Sequence, residues 1–376
     1  MRVLQISKFY PPVMGGIESV AWELTEGLNR DGVRTDVLCS NQRPFTTRER
    51  TESGYDVVRS GSWGMCLSTS MAPAMAWQLR TLALGHDVLH VHMPDPMAAL
   101  ALWFAQPKSR VVVHWHSDVV RQRKALRLYE PLQQWLLQRA DAIIATSPPY
   151  ADSSTVLRPW RHKVEVIPIG ISDNRSEICS IKAAEIRQRY RGRRIVFSLG
   201  RMTYYKGFDV LIEAAAALPG DCVVLIGGDG DLLDHYRSLV AKRGLAGKVH
   251  LLGHILDHEL ASHFEACDVF CMPSTVRAEA YGVAMLEAMV MGKPIVATDI
   301  AGSGVPWVNI HGTSGFNVPV GEVAPLADAL TRLLGDEALR QQLGAAAVQR
   351  YLQEFNARQM TEKVVSLYRR IGAAKA

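Results

Sequence analysis

The sequence predicts an α/β protein made of two Rossmann-like domains, each a parallel sheet covered by helices on both faces. Three observations carry this. The chain of 376 residues exceeds what one ordinary hydrophobic core accommodates. Short apolar strands alternate with longer helical patterns. That alternation stops near Pro168 and restarts after Asp173. The composition, 48% hydrophobic and 21% charged, is that of a globular chain.

In order, residues 3–7 read as the first strand, followed by a Pro/Gly-rich loop, 11–16. Val20, Ala21, Leu24 and Leu28 then recur at helical spacing up to Asp31-Gly32. Residues 35–39, 87–92, 110–116 and 142–147 are the next strands, separated by helical patterns. After the joint at 168–173 come strands at 194–200, 222–228, 250–253, 269–272 and 294–298, with helices at 208–217 and 232–243. This gives domains at 1–172 and 173–355. The tail beyond Gln349 carries Tyr351, Phe355, Met360, Val364, Leu367 and Tyr368 at helical spacing and fits against either domain. In open α/β sheets ligands bind at the carboxyl ends of the strands, which places a site in a cleft between the two domains.

The N-terminus lacks the apolar run of a signal peptide, and no stretch reaches the roughly 18 apolar residues of a membrane span, so a cytoplasmic location is expected. The six cysteines are scattered without a CxxC pair, and Cys267 and Cys271, in an apolar run, read as plain core cysteines. The net charge of +5 is uneven: residues 1–172 hold 19 Lys/Arg against 15 Asp/Glu. Arg121, Arg123, Lys124 and Arg127 cluster without an acid until Glu130, either as a solvated helix face or as a contact for an anionic partner.

Five segments carry chemistry. Glu279-Ala280-Tyr281-Gly282-Val283 leads from a loop into a helix starting near Ala284, which sets Glu279 before the helix and Glu287 inside it. The amides of the first turn suit a phosphate, and the two carboxylates can accept from sugar hydroxyls. The plain alternative is an amphipathic helix with two exposed glutamates. Gly200-Arg201 and Lys206-Gly207 follow a strand and bring two cations to a loop where a diphosphate needs charge and close approach, although the Walker A ending is missing. Gly15-Gly16 allows backbone amides near an anion. His116-Ser117-Asp118 ends a strand, where His116 can donate to a sugar hydroxyl or a developing charge. Gly227-Gly228-Asp229-Gly230 also ends a strand but is not the GxGxxG fingerprint, which argues against a nicotinamide enzyme. The spacings His114-x-His116 and His90-x-His92 are read as sending each pair to opposite faces of a strand. With no HExxH or cysteine ligand set, no metal is expected.

Taken in order along nearly the whole chain, these segments resemble the retaining GT-B glycosyltransferases of family four, the E-x7-E group. Residues 114–122 and 304–309 are similar to the bacterial rhamnosyl- and mannosyltransferase branch that builds O-antigen and other polysaccharides. The resemblance implies a metal-independent hexosyl transfer with retention, from GDP-mannose or GDP-rhamnose, or alternatively from a UDP sugar, to a lipid-linked or oligosaccharide acceptor. It implies that Arg201 and Lys206 hold the diphosphate together with the amides near Tyr281, Gly282 and Val283. Glu279 would contact the transferred sugar, Glu287 the ribose, and Ile255 the base. His116 would bond the donor sugar, Asp118 and Gly15 would lie on the acceptor side, and Gly16 would lie beside the phosphates. The C-terminal helix, 356–376, would return to the first domain. The usual Glu-Gly/Ser-Phe-Gly opening is here Glu279-Ala280-Tyr281-Gly282, an aromatic with an added hydroxyl. With a membrane-lipid acceptor, the run from Arg121 to Arg127, followed by Trp135, Leu136 and Leu137, becomes a candidate contact for anionic lipid. A nucleotide-sugar epimerase or another GT-B enzyme, or a non-catalytic sugar-binding protein, are the rivals. Nucleic acid is not expected from so modest a charge without a basic–aromatic motif.

Overall fold

The computed structural model describes residues 1–119 and 123–373. The chain divides into two compact units, Met1–Ser172 with the segment from Ala357, and Asp173–Asn356.

The first unit begins with β1 (Arg2–Ser7), α1 (Gly16–Arg30), β2 (Arg34–Ser40), β3 (Thr47–Arg50), β4 (Asp56–Ser60) and the small hairpin β5 (Met65–Cys66) and β6 (Thr69–Ser70). It continues with α2 (Ala74–Leu82), β7 (Val88–Met93), α3 (Pro96–Ala105), β8 (Arg110–Trp115), α4 (Arg123–Arg139), β9 (Ala142–Ala145), α5 (Pro148–Ser153) and β10 (Val164–Val166). Eight strands form one sheet in the order β10-β9-β8-β7-β1-β2-β4-β3. β7 is buried along its whole length, as a central strand covered on both faces must be. The sheet departs from the expected all-parallel form at one edge, where β3 runs antiparallel to β4. Its sequence, Thr-Arg-Glu-Arg, is largely exposed and charged. Apolar patterning therefore does not reveal this strand, and the same charge discourages further strand addition.

The second unit holds α6 (Ser180–Arg189), β11 (Arg194–Leu199), α7 (Phe208–Ala215), β12 (Cys222–Gly227), α8 (Leu233–Lys242), β13 (Val249–Gly253), α9 (Asp257–Ala266) and β14 (Val269–Met272). There follow α10 (Val283–Val290), β15 (Ile295–Thr298), α11 (Val305–Val308), β16 (Gly315–Val318), α12 (Val323–Gly335) and α13 (Glu337–Glu354). Its six strands are parallel, in the order β13-β12-β11-β14-β15-β16. Val196, Val224, Ile226, Phe208 and Leu330 lie in its core. Cys39, Cys222, Cys267 and Cys271 are buried, and all six cysteines are unbridged.

The helical tail is two helices. α13 ends at Glu354, and after the short break at Phe355 and Asn356 α14 (Ala357–Ala373) packs on α1 of the first unit. Met360, Val364, Leu367 and Tyr368 are buried there, each contributing about 1.5–3 kcal/mol. α14 approaches α1 so closely that a Cβ on Gly27 would sit 2.3 Å from Thr361 Oγ1.

Candidate active site

In each sheet the strand order reverses direction beside the first strand of its unit, between β1 and β7 and between β11 and β14. The loops leaving such a reversal point diverge and open a crevice at the carboxyl ends of the strands. Of the predicted site residues of the second unit, Lys206 and Glu279 come together there.

The loop after β11 carries Arg201 and Lys206, and the segment after β14 carries Glu279. Lys206 Nζ lies 2.6 Å from Glu279 Oε2, with the two side chains only 12% and 10% exposed. Burial alone would lower the lysine pKa, but the Glu279 carboxylate outweighs it, so Lys206 titrates above its ordinary value and is a cation at neutral pH. Glu279 is thus not the exposed glutamate of a plain amphipathic helix. Ser274 Oγ donates to Glu279 Oε2 at 3.1 Å, and Ser303 Oγ donates to the Glu279 carbonyl at 2.5 Å. Thr298 Oγ1 donates to the Ser274 carbonyl, and the Gly304 amide to that of Ala280 at 2.8 Å. Ser274 and Ser303 escape sequence reasoning. The signal for them is the small-residue turn that follows each strand end, Pro273-Ser274 after β14 and Gly302-Ser303-Gly304 after β15.

Glycine is required where the two loops meet. Gly228, at φ +127°, would place a Cβ 2.0 Å from the Gly200 carbonyl oxygen. The Gly200 amide donates to Gly227 O at 3.1 Å and the Met202 amide to Asp229 O at 2.8 Å, so the Gly228-Asp229-Gly230 turn fixes the course of the Arg201 loop. Arg201 is exposed, and Ile255 is half-buried with its Cδ1 against the face of Gly227. Gly282, left-handed at φ +84°, opens α10, and the amides of Val283 and Ala284 precede the first bond of the helix, which the Met285 amide donates to the Gly282 carbonyl at 2.9 Å. Tyr281 is buried, its ring 6.3 Å from that of Trp307 and 6.2 Å from that of Phe355, so its aromatic body anchors the start of the helix. Glu287 lies half-buried one turn further along α10.

In the first unit Gly15 caps α1 in an extended conformation, φ −172°, and nothing lies within 4 Å of a Cβ built on Gly16. Gly16 is not demanded by the fold. The open space beside Gly16 lets a ligand approach the first amides of α1.

His116 follows β8 and is 5% exposed. The expectation that its neighbours point elsewhere is overturned. Residues two apart on a strand share a face, and β7 pairs with β8 so that His92 lies opposite His114. His90, His92, His114 and His116 therefore form one buried block. The rings of His114 and His116 stack at 4.2 Å and those of His92 and His116 at 5.2 Å. His92 Nδ1 is 2.9 Å from His116 Nε2, and His92 Nε2 is 2.9 Å from Gln5 Oε1. His90 links His114 Nδ1, at 3.2 Å, to the Tyr368 hydroxyl, at 2.5 Å. Desolvation lowers the pKa of all four below 6.5, so the block is neutral at physiological pH. One nitrogen each from His90, His92 and His114 lie within 4.8 Å of one another, so the geometric ground for dismissing joint ligation does not hold. Asp118 is engaged within the unit: its Oδ1 accepts from Trp115 Nε1 and from Ser154 Oγ, both at 2.9 Å, and its amide donates to the Tyr150 hydroxyl at 2.6 Å.

Of the basic run, Arg121 and the side chains of Arg123 and Lys124 lie outside the described residues, while Arg127 is exposed. Leu136 and Leu137 are fully buried, which removes them from any lipid contact. α2 and α3, which pack together, carry exposed Trp77, Leu100, Trp103 and Phe104. No helix among the described residues is long and apolar enough to cross a membrane.

Two family patterns match the chain, "Glycosyl transferase 4-like domain" over residues 15–170 and "Glycosyl transferases group 1" over residues 181–350. The chain is 31% identical over 371 residues to the O-antigen chain mannosyltransferase C of Escherichia coli, covering 98% of both chains. It is 33% identical over 359 residues to the D-rhamnosyltransferase WbpZ of Pseudomonas aeruginosa, covering 95% of this chain and 93% of that one. Among solved structures it shares its fold with sucrose-phosphate synthase from Thermosynechococcus elongatus (22% identity, 100% of both chains, TM-score 0.83). It shares it as well with HepE from Anabaena in complex with UDP-glucose (20% identity, 98% and 99% of the chains, TM-score 0.80). The chain belongs to the GT-B glycosyltransferases, with a glycosyl transferase 4-like domain followed by a group 1 domain, and is a hexosyltransferase.

Proposed function

We propose that the enzyme transfers mannose or rhamnose from a GDP sugar to a lipid-linked or oligosaccharide acceptor in bacterial polysaccharide assembly, with retention at the anomeric carbon. The observation that carries the donor reading is the buried Lys206–Glu279 pair at the sheet reversal point, beside the open amides of α10. An ammonium has three donors, so Lys206 can hold Glu279 and still meet a phosphate oxygen. Arg201 and the amides of Gly282 and Val283 add to that grip, and the leaving diphosphate is stabilised by fixed charge and dipoles with no metal required. Glu279 keeps Oε1 for sugar hydroxyls, while Oε2 is held by Lys206 and Ser274. A carboxylate tethered in this way orients a sugar better than it attacks one. Retention then proceeds by a front-side, oxocarbenium-like displacement in which the donor phosphate helps deprotonate the acceptor. Glu287 takes the ribose and Ile255 the base. His116, Asp118, Gly15 and Gly16 serve the donor sugar and the acceptor, with His116 acting as a neutral hydrogen-bonding group.

The relatives support the transferred sugar and the pathway, since one is an O-antigen chain mannosyltransferase and the other a D-rhamnosyltransferase. A UDP sugar is the alternative, favoured by the UDP-glucose held in HepE. The test pairs transfer assays with product NMR. Glu279→Ala is expected to lower turnover with GDP-mannose by roughly 100-fold or more, and the anomeric coupling of the wild-type product should match that of the donor. Wild-type turnover in the variant, or an inverted product, defeats the reading. Sugar-nucleotide conversion without any acceptor would favour the epimerase. A larger thermal shift with UDP than with GDP would transfer the base assignment.

For the partner surface, we propose that the first unit rests on anionic lipid. The support is the chemistry of α2 and α3: exposed Trp77, Trp103 and Phe104, the cations Arg80 and Lys108 beside them, and no acid on either helix. Flotation with vesicles containing anionic phospholipid should carry the wild type, and Trp77→Ser with Trp103→Ser should abolish it. Charge reversal at Arg121, Arg123, Lys124 and Arg127 reports separately on the basic run.

A further inference from the structure

We propose that Gln5 and His92 are positioning residues that act through His116: the chain Gln5–His92–His116 fixes which ring nitrogen of His116 carries the proton, leaving Nδ1 as the bare acceptor for a sugar hydroxyl. This rests on the reading above that His116 meets the sugar, and goes beyond it by naming the protonation form and the residues that impose it.

The argument starts from parity. A neutral imidazole has one N–H and one lone pair, so in a row of neutral rings each link dictates the next. Gln5 presents Oε1, an acceptor with no proton to give, to His92 Nε2 at 2.9 Å. His92 Nε2 must therefore carry the proton and His92 Nδ1 the lone pair. His92 Nδ1 is 2.9 Å from His116 Nε2, so His116 Nε2 carries the proton and donates inward. His116 Nδ1 is then the unprotonated nitrogen. The order would reverse only if Gln5 turned its amide nitrogen to His92.

The surroundings keep the row neutral. His92 packs against His90 at 4.9 Å and His114 at 5.2 Å between ring centroids, and the Tyr368 hydroxyl of α14 closes the far side against His90. Among the described residues these are the titratable groups in contact with the row, and all are buried and uncharged at neutral pH. A second proton on any ring would place a cation among three other imidazoles, with no carboxylate of the described residues bonded to the row. Desolvation holds His92 and His116 well below their ordinary pKa, in agreement with this. Buried partners of this kind orient a reacting histidine as outer-shell groups orient a metal ligand, where their loss costs about 10–100-fold.

The row also gives each substitution its own signature. Gln5→Leu frees His92 Nε2, releases the parity and should lower kcat about 10–100-fold while the donor KM changes little, because the hydroxyl contact matters most as charge develops. His92→Phe should do the same. His92→Asn retains a carbonyl oxygen near the place of Nδ1 and should recover most of the lost kcat. Gln5→Glu sets a carboxylate on His92 Nε2, which favours a proton on His92 Nδ1 at lower pH. That proton reverses His116, so this variant alone should show an acid limb in the pH profile of kcat.

The decisive experiment is imidazole 15N NMR of the full-length enzyme, alongside kinetics of these variants and of His116→Ala, with thermal melting as the control for folding. The expected result is a protonated Nε2 and a bare Nδ1 on His116, with Asn rescue at position 92. A protonated Nδ1 in the wild type overturns the proposal. So does wild-type kcat in folded Gln5→Leu and His92→Phe when His116→Ala is impaired. Full activity of His116→Ala would instead remove the role of His116 on which the proposal rests, and the NMR result would still report the tautomer on its own.

Discussion

At the scale of single residues the glycines divide by what they are for, and the division gives two opposite predictions. Gly228 is held by the fold, since its φ of +127° and the Gly200 carbonyl 2.0 Å from a built Cβ leave no room for a side chain. Gly228→Ala should cost about 1–3 kcal/mol from the strained backbone, read as a lower urea midpoint, and should weaken nucleotide binding through the displaced Arg201 loop. Gly16 begins α1 with open space around it. Gly16→Ala should leave the melting temperature unchanged or raise it slightly, since alanine is the better helix former by roughly 0.5–1 kcal/mol, yet lower turnover by blocking ligand approach. A fully active Gly16→Ala would show that the space serves no ligand. The Lys206–Glu279 pair follows a third logic. Removing the carboxylate leaves a buried ammonium alone at a cost of about 3–5 kcal/mol. Glu279→Ala must therefore be checked for folding before its lost turnover is assigned to catalysis, and Glu279→Gln, which keeps an acceptor for Lys206, separates the two.

At the scale of elements the contact between α1 and α14 decides how the C-terminal helix is attached. Gly27 sits in the middle of α1, where glycine weakens a helix, and it is tolerated there because Thr361 of α14 fills the space a methyl group would need. Gly27→Ala should destabilise the first unit by about 1–3 kcal/mol through overpacking, measured as a urea midpoint. Thr361→Ala removes the nearest atom, Oγ1 at 2.3 Å, so the double variant should be more stable than the two single effects added. Additive costs would mean that the helices shift apart freely. The helical nature of α14 is legible in the spacing of Met360, Val364 and Tyr368, whereas its partner is not, because periodicity records that a face is buried and not against what. The same limit explains the strands. Those with apolar runs, such as β8 and β12, announce themselves. The charged β3 and the short Gly-Phe-Asn-Val β16 carry too little pattern to be seen.

At the scale of the whole molecule, the sequence picks out candidate site residues along the chain but not which of them touch. Glycines and cations just after strands mark strand-end loops. The contact of Lys206 with Glu279 spans 73 residues and needs the sheet order, with β11 beside β14, which local patterning does not contain. The histidine block needs the register of β7 on β8 as well as the shared face. That block has a consequence for the whole chain, because a histidine buried neutral must lose its shelter before it can take a proton. Its folded pKa lies below the unfolded value of 6.5, for His114 at about 3, so its contribution to stability is present above pH 6.5 and is lost as the pH falls below it. Each of the four therefore destabilises the folded unit increasingly as the pH falls from 7.5 to 5.5. Asp95, pushed up to about 6 by burial, works the other way and returns about 1 kcal/mol. Among the histidines of the second unit, His250 and His263 have lowered values, and both are partly buried. Acidification should therefore open the first unit before the second. Hydrogen exchange at pH 5.5, corrected for the intrinsic rate, should show protection falling across residues 1–172 while 173–356 stays closed. Equal loss in both units, or none by pH 5.5, would mean that the histidines can be protonated in place, with their row of hydrogen bonds rearranged.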